Sequence, residues 1–369
     1  MEIFDAILKP TLLLNQSIAQ QNIRRMAEKA RQAHVAFRPH FKTHQSSEIA
    51  EWFRAEGVTT ITVSSLDMAD YFAASGWSDI LLAFPVNVRQ LAGLNLLAAR
   101  IRLGLLVESL QSVEVLATAL THPVDIWLKI DTGTGRTGLS WQNPSAAQTL
   151  IGSILIHPHL RLRGLLTHAG STYAAASTSQ AIEAHQTATA RLHSLRHELT
   201  TVGATPLQLS IGDTPGCSLL SDFSPADEIR PGNFVFYDTQ QLKTGACCWD
   251  QIAVALACPV VALHPERDEV VVYGGAIHLS KDYTEVSGVR QYGLVCLPSR
   301  EAWNEPIEGA YVARLSQEHG ILHVPQPALR KIRVGDLVCV LPAHACLTAQ
   351  AMGAYLTLTG RKIDMLRAP

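Results

Sequence analysis

One pattern repeats from residue 35 to residue 240: a short apolar run, a loop, then an amphipathic run at helical spacing. Val35–Lys42 is followed by Ser46–Glu56, Thr59–Val63 by Leu66–Ser75, Asp79–Phe84 by Val88–Ala99, and Arg102–Val107 by Leu110–Leu120. Asp125–Ile130 precedes a helix from about Pro144 to Ile154, and Leu160–Thr167 precedes a long one, Ser179–Thr200. Pro206–Ser210 and Glu228–Tyr237 complete the eight strand-like runs. Such alternation implies a parallel sheet, because each helix carries the chain back before the next strand pairs. An open doubly wound sheet uses the same alternation. Eight units of similar length predict closure into a TIM-type (β/α)8 barrel. Ahead of the repeat, Asn15 or Ser17 is placed to cap a helix with Ile18, Ile23, Met26 and Ala30 on one face.

After about residue 240 the pattern changes. Ile252–Leu263, Glu269–Val272, Leu294–Leu297, Gly309–Leu315, Ile321–His323 and Leu337–Leu341 read as strands, separated by Pro, Gly, Asp and Asn rather than by helices. The expected organisation is a barrel over residues 10–240 and a C-terminal antiparallel β domain over 241–369, joined by residues 1–9. With 47% hydrophobic and 17% charged residues the chain can bury a substantial core. A net charge of −2 without a basic stripe argues against nucleic acid as a partner. No apolar run is long enough to cross a bilayer. Met1-Glu2-Ile3-Phe4-Asp5 lacks a secretory pattern. The seven cysteines show no framework spacing, so reduced thiols and a cytoplasmic location are expected.

In a barrel of this kind, chemistry gathers where strands end and loops begin. Lys42 ends the first strand. The fifth ends in Asp131-Thr132-Gly133-Thr134-Gly135-Arg136-Thr137-Gly138, the sixth in His168-Ala169-Gly170-Ser171-Thr172-Tyr173. The seventh ends in Ser210-Ile211-Gly212-Asp213-Thr214-Pro215-Gly216, and Arg230-Pro231-Gly232-Asn233 accompanies the eighth. A lysine shielded from water beside another cation is pushed towards its neutral form. A neutral amine can form a Schiff base with an aldehyde, so Lys42 is expected to be a desolvated nucleophile. The glycines at 212, 216 and 232, the hydroxyls of Ser210 and Thr214, and the N–H groups of Gly232-Asn233 suit a phosphate. Gly-Asp-Thr-Pro-Gly is also an ordinary turn sequence. Arg136 suits either stacking on a planar ring or a solvated loop. His168 and Tyr173 suit either a heteroaromatic ligand or the core. Taken together, these residues point to a phosphorylated aldehyde, pyridoxal phosphate.

The second half adds Pro342-Ala343-His344-Ala345-Cys346. Two residues apart on extended chain, His344 and Cys346 would face the same side. An imidazole with a thiolate suits zinc; a buried cysteine beside a polar histidine is the alternative.

These segments, beginning with Arg38-Pro39-His40-Phe41-Lys42-Thr43-His44 and including Glu318-His319-Gly320, occur in an order that resembles the D-serine dehydratase and D-threonine aldolase family. That family has the alanine-racemase-like fold of pyridoxal phosphate enzymes. The resemblance runs from about residue 10 to residue 355. It implies that Lys42 holds the cofactor as an internal aldimine, with Arg136 beside the ring and Tyr173 near the pyridine nitrogen or ring edge. It implies that Ser210, Gly212, Thr214, Gly232 and Asn233 hold the phosphate. It also implies that His344 and Cys346 bind a divalent metal, zinc being the expected ion, in a homodimer. Dehydratases of the family carry His-x-Cys and aldolases His-x-Asp, so the cysteine implies a D-serine dehydratase-like lyase. Retro-aldol cleavage, racemisation and a non-catalytic pyridoxal phosphate carrier are the alternatives. Tyr273 and His278 depart from the family pattern in Val272–Asp282, which bears on the choice of substrate.

Overall fold

The computed structural model describes residues 3–200, 206–300 and 302–366. The chain divides into two compact units. One spans Arg25–Gly232; the other joins the N-terminal residues up to Arg24 to those from Asn233 onward.

In the first unit the strands lie in the order Ala36–Phe37, Glu228–Ile229, Gln208–Gly212, Leu160–His168, Val124–Asp131, Arg102–Val107, Asp79–Pro85 and Ile61–Val63. Neighbours on this path pair in parallel. A parallel bridge between His40 and Thr62 joins the last strand to the first. The eight strands therefore form the closed barrel that the sequence predicts.

Period-two alternation along the strands separates the two faces of the wall. Leu103, Leu105 and Val107 are fully buried on one face, and Leu94, Leu97, Val113 and Leu116 supply buried faces on the adjoining helices. On the other face, Leu81, Leu106, Trp127 and Leu166 form one cluster inside the barrel. Gly164 is required where the wall is tightest: a Cβ there would lie 1.9 Å from the carbonyl oxygen of Gln208. Ser65, Ser109 and Asn143 cap the helices that follow them, and Asn15 Oδ1 accepts the N–H of Ile18 at 3.2 Å.

A charged layer sits inside the barrel beside the Trp127 layer. Arg38 donates to Glu228 and to Asp79, both at 2.6 Å. Arg102 reaches Asp79 at 3.3 Å and Asp125 at 2.6 Å. Arg38 thereby ties the neighbouring strand Glu228–Ile229 to Asp79–Pro85, the second strand away on its other side. Glu228 also accepts from Ser210 Oγ at 2.6 Å, and Ser210 Oγ accepts from Arg230 Nε at 2.6 Å.

The eighth strand is shorter than expected. Only Glu228–Ile229 pairs, because Pro231 has no N–H for a ladder and the chain turns into a 3-10 helix at Asn233–Val235. The first strand is also cut short, and Phe41–His44 form a turn.

The second unit contains a nine-stranded sheet. Its order is Glu269–Tyr273, His319–His323, Tyr311–Leu315, Gly293–Cys296, Leu337–Pro342, Val254–His264, Thr11–Leu14, Ala354–Thr357 and Lys362–Asp364. Pairing is antiparallel except between Thr11–Leu14 and Ala354–Thr357. Glu269–Tyr273 also pairs with Val254–His264, which curls part of the sheet back on itself. Thr11–Leu14, absent from the strand-like runs read in the sequence, is an interior strand here.

Arg38→Met would leave Asp79 and Glu228 without their shared cation inside the barrel. A loss of about 3–5 kcal/mol is expected, read as a lower urea midpoint at unchanged m-value.

Candidate active site

Two groups of functional side chains emerge, one in each unit. The first lies at the C-terminal ends of the barrel strands. Lys42 is in the Phe41–His44 turn, where its N–H donates to His40 Nδ1 at 3.3 Å and its carbonyl accepts from Gln45 Nε2 at 3.1 Å. Phe41 anchors the turn, packed among His44, Phe53, Phe72 and Trp77. The Lys42 side chain is exposed, which corrects the expectation of a desolvated amine. The turn buries the residues around Lys42 and directs the lysine outward.

The neighbours of Lys42 carry the electrostatic signature of the site. His40 is held well below the ordinary histidine range by burial, then by Lys42 and Arg230. His168 is pushed down to about 4 by burial and Arg136, with Lys42 adding to the effect against Asp213. Both imidazoles are therefore neutral at pH 7. His168 Nδ1 lies 2.5 Å from the Gly212 carbonyl oxygen, so Nδ1 carries the proton and Nε2 is left as an acceptor. The His168 and Tyr173 rings are 5.8 Å apart.

Arg136 projects from an exposed loop that Asp131 organises. The Asp131 carboxylate accepts the N–H groups of Gly133, Thr134 and Gly135 at 2.8–3.2 Å. Burial opposes the charge, but these bonds and Lys129 hold Asp131 below the usual carboxylate range.

After the seventh strand, Asp213 caps the short helix Thr214–Leu219 through the N–H of Gly216. Its other oxygen meets His185 Nδ1 at 2.7 Å, with both side chains buried. A Cβ on Gly216 would collide with His185 Nδ1 at 2.1 Å, so only glycine fits. Tyr173 Oη accepts the N–H of Thr214 at 3.0 Å, and the buried Thr214 Oγ1 has no hydrogen-bond partner. Gly232 backs onto the lysine turn, where a Cβ would lie 3.0 Å from His40. Ser210 has a different task from the expected one. Its hydroxyl is fully buried and committed to Glu228 and Arg230, so it is not offered to a phosphate.

Sequence reasoning missed Lys129. It shares its face of the strand Val124–Asp131 with Trp127, which places it inside the barrel one layer nearer the strand ends. It is almost wholly buried, with Nζ donating to the Ile130 carbonyl at 2.9 Å. Burial, then Arg230 and Arg136, push it down to about 8. Its strand lies diametrically across the barrel from the strand leading to Lys42. The alternation Trp127-Leu128-Lys129 was the available signal, read only as part of an apolar run.

The chemistry of these donors fits pyridoxal phosphate. Lys42, Lys129, Arg136 and Arg230 are cations joined by mutual electrostatic influence on His40, His168 and each other. The unpartnered Thr214 hydroxyl and the glycine turn suit a phosphate, and neutral His168 and Tyr173 suit an aromatic ring.

The second group lies in the other unit. His344 and Cys346 do not sit on extended chain, as the sequence suggested. His344 is the residue before the helix Ala345–Met352, and Cys346 lies in its first turn. Their side chains nevertheless meet in a hydrogen bond. His344 Nδ1 is also 2.5 Å from Asp282 Oδ2. Burial disfavours charge on His344, but Cys346, Asp282 and Asp238 outweigh it and raise the imidazole to about 11. This is a locus that holds positive charge, with the imidazole and thiol donors that zinc favours. Among the described residues, no group of three His, Cys, Asp or Glu side chains is arranged to hold a metal. Asn233, whose backbone N–H is expected at the phosphate, directs its side chain to Asp238 and to Cys346 Sγ, at 2.5 and 3.7 Å.

Residues 15–240 match the family of alanine racemase N-terminal domains, and residues 253–358 match that of serine dehydratase domains. The chain belongs to the D-serine dehydratase and D-threonine aldolase family. It is 29% identical over 361 residues to D-threo-3-hydroxyaspartate dehydratase of Delftia sp. (strain HT23), covering 95% of this chain and 93% of that protein. It is 29% identical over 381 residues to D-serine dehydratase of Schizosaccharomyces pombe, covering 96% and 89%. The solved Delftia enzyme superposes with a TM-score of 0.90 at 25% identity, covering 100% of each chain. D-threonine aldolase from Filomicrobium marinum shares the fold, with a TM-score of 0.80 at 20% identity, covering 96% of this chain and 94% of that one. Membership of this family makes the protein a pyridoxal phosphate-dependent lyase with the alanine-racemase-like fold. No helix among the described residues is long and apolar enough to cross a membrane.

The buried Lys129 carries a stability penalty. Depression from the ordinary 10.5 to about 8 reflects about 3 kcal/mol of unfavourable charging. The folded protein gives up this proton before the unfolded chain does, so stability rises with pH between about 8 and 10.5. Lys129→Met should therefore raise the melting temperature of cofactor-free protein, most clearly below pH 8. The same substitution should weaken pyridoxal phosphate binding in a spectroscopic titration.

Proposed function

We propose that the protein removes water from D-amino acids bearing a 3-hydroxyl group, yielding a keto acid and ammonia in the manner of D-serine dehydratase. The observation that carries this reading is the contact between His344 and Cys346. The cysteine is the dehydratase form of the family's metal pair. Relatives named as dehydratases include the Delftia and Schizosaccharomyces enzymes, and a variant of the former has been solved in a metal-free form. The aldolase reading finds support in the 24% identity over 343 residues to D-threonine aldolase from an Arthrobacter species, covering 91% of this chain and 85% of that protein.

Lys42 is the residue that would bind the cofactor covalently, and its exposed side chain on a rigidly backed turn suits that task. Bound there, pyridoxal phosphate supplies an electron sink for charge developing at the α-carbon. Once released by substrate, Nζ of Lys42 would take the α-proton. Thr214, Gly212 and Gly232 would hold the phosphate. Arg136 and Tyr173 would flank the ring, with His168 turned by Gly212 to present Nε2 as an acceptor. His344 and Cys346 would hold a divalent metal, zinc by the chemistry of the pair, which supplies a Lewis acid for a departing hydroxyl. Asp282 would fix the His344 ring through Nδ1.

Product analysis tests the reading. With D-serine and D-threo-3-hydroxyaspartate the expected products are keto acid and ammonia; glycine with an aldehyde would establish the aldolase reaction instead. Lys42→Ala should abolish the visible absorbance of bound cofactor. Chelation, or Cys346→Ala, should remove ammonia release by at least about a hundredfold, within the range of metal-assisted catalysis, while leaving that absorbance in place. Undiminished turnover after complete metal removal would rule the metal out of the reaction.

A further inference from the structure

We propose that Asp238 is the positioning residue of the His344–Cys346 metal pair. The inference rests on the metal reading given above. Asp238 is fully buried and lies 107 residues from the pair in sequence. One carboxylate oxygen accepts the Ala345 N–H at 2.9 Å and the Asn233 Nδ2 at 2.5 Å. The other accepts the Gln241 N–H at 3.0 Å, capping the helix Thr239–Lys243.

Ala345 is the residue between the two metal-binding side chains and the first of the helix Ala345–Met352. A helix leaves its first N–H groups unpaired, and the residue before it usually accepts one with its own side chain. His344 occupies that position and makes no such bond. Asp238 accepts the Ala345 N–H instead. The imidazole is thereby free to meet Asp282 and Cys346.

The second bond acts on the cysteine. Asn233 Nδ2, held by Asp238, also approaches Cys346 Sγ at 3.7 Å. The amide cannot be turned over, because its oxygen would then face the Asp238 carboxylate. The Asn233 Oδ1 is accordingly buried without a partner. One carboxylate thus fixes the peptide between the two ligands and the amide beside the sulfur. Groups behind metal ligands commonly alter affinity by about 10–100-fold when removed.

The test uses cofactor-loaded protein stripped of metal and titrated with Co2+, whose thiolate charge-transfer band reports on Cys346. Wild type should show the band, and Cys346→Ala should lack it. Asp238→Asn places an amide nitrogen against either Asn233 or a backbone N–H. It should weaken Co2+ and Zn2+ binding by about 10–100-fold and shift or reduce the band, with the cofactor's visible absorbance unchanged. Asp238→Glu retains the carboxylate but displaces it by one methylene, and it should give the same change to a smaller degree if Asp238→Asn does not fold. Metal affinity and band position equal to wild type in a folded variant would overturn the positioning role. Absence of the band in wild type would instead overturn the metal reading on which it rests.

Discussion

Charge inside a barrel has to be paired, and here the pairing joins the floor of the barrel to its mouth. Asp125, Arg102, Asp79, Arg38 and Glu228 form one run of ion pairs. Ser210 then carries it to Arg230, which donates to the carbonyl of Thr167 in the strand that ends at His168. Removing Arg38 would leave the buried Glu228 without this cation, which is far more destabilising than loss of a surface pair. Arg38 belongs to the lysine segment itself, so the strand that leads to the Lys42 turn is fastened at its root from both sides. Arg230, pushed down to about 10 chiefly by burial, still carries its charge at neutral pH. The network therefore also delivers a fixed cation to the region of His40 and Lys129.

The mouth of the barrel is built at the expense of stability elsewhere. Cations collect there with few carboxylates beside them, and the two nearby histidines are kept neutral by burial first and by these cations second. That arrangement suits an anionic ligand better than it suits an unliganded fold. The metal pair follows the opposite logic, with acidic groups and a thiol around one imidazole. An anion-attracting group in one unit and a cation-attracting group in the other match the two cofactors expected of the family.

Much of this was legible in the sequence because it is local. Seven barrel strands were placed by apolar runs, and the residues at their ends by the rule that loops follow strands. The eighth was overextended because Phe234, Val235 and Phe236 continue an apolar run past Pro231, yet they are buried without being part of the ladder. Thr11–Leu14 was missed as a strand since its partners, Val254–His264 and Ala354–Thr357, lie hundreds of residues away. The same distance hid Asp238 and Asp282, whose importance comes only from what they touch. His344 and Cys346 lie together for a different reason from the one the sequence suggested: a helix start, rather than strand alternation, places them. Lys42 stands at the strand end where the sequence put it, although its turn shields its neighbours rather than the lysine itself.

The barrel wall is uneven around its circumference. Ala36–Phe37 pairs with Glu228–Ile229 over two residues on one side and meets Thr62 through the His40 bridge on the other, whereas Val124–Asp131 and Leu160–His168 share a long ladder. The amine of Lys42 thus hangs from a narrow stave, while the heavy staves opposite carry Lys129 and His168. Parting that seam would break the backbone bonds of residues 36–41 to 227–231 and to Thr62, while the long ladder opposite would hold the rest of the cylinder together.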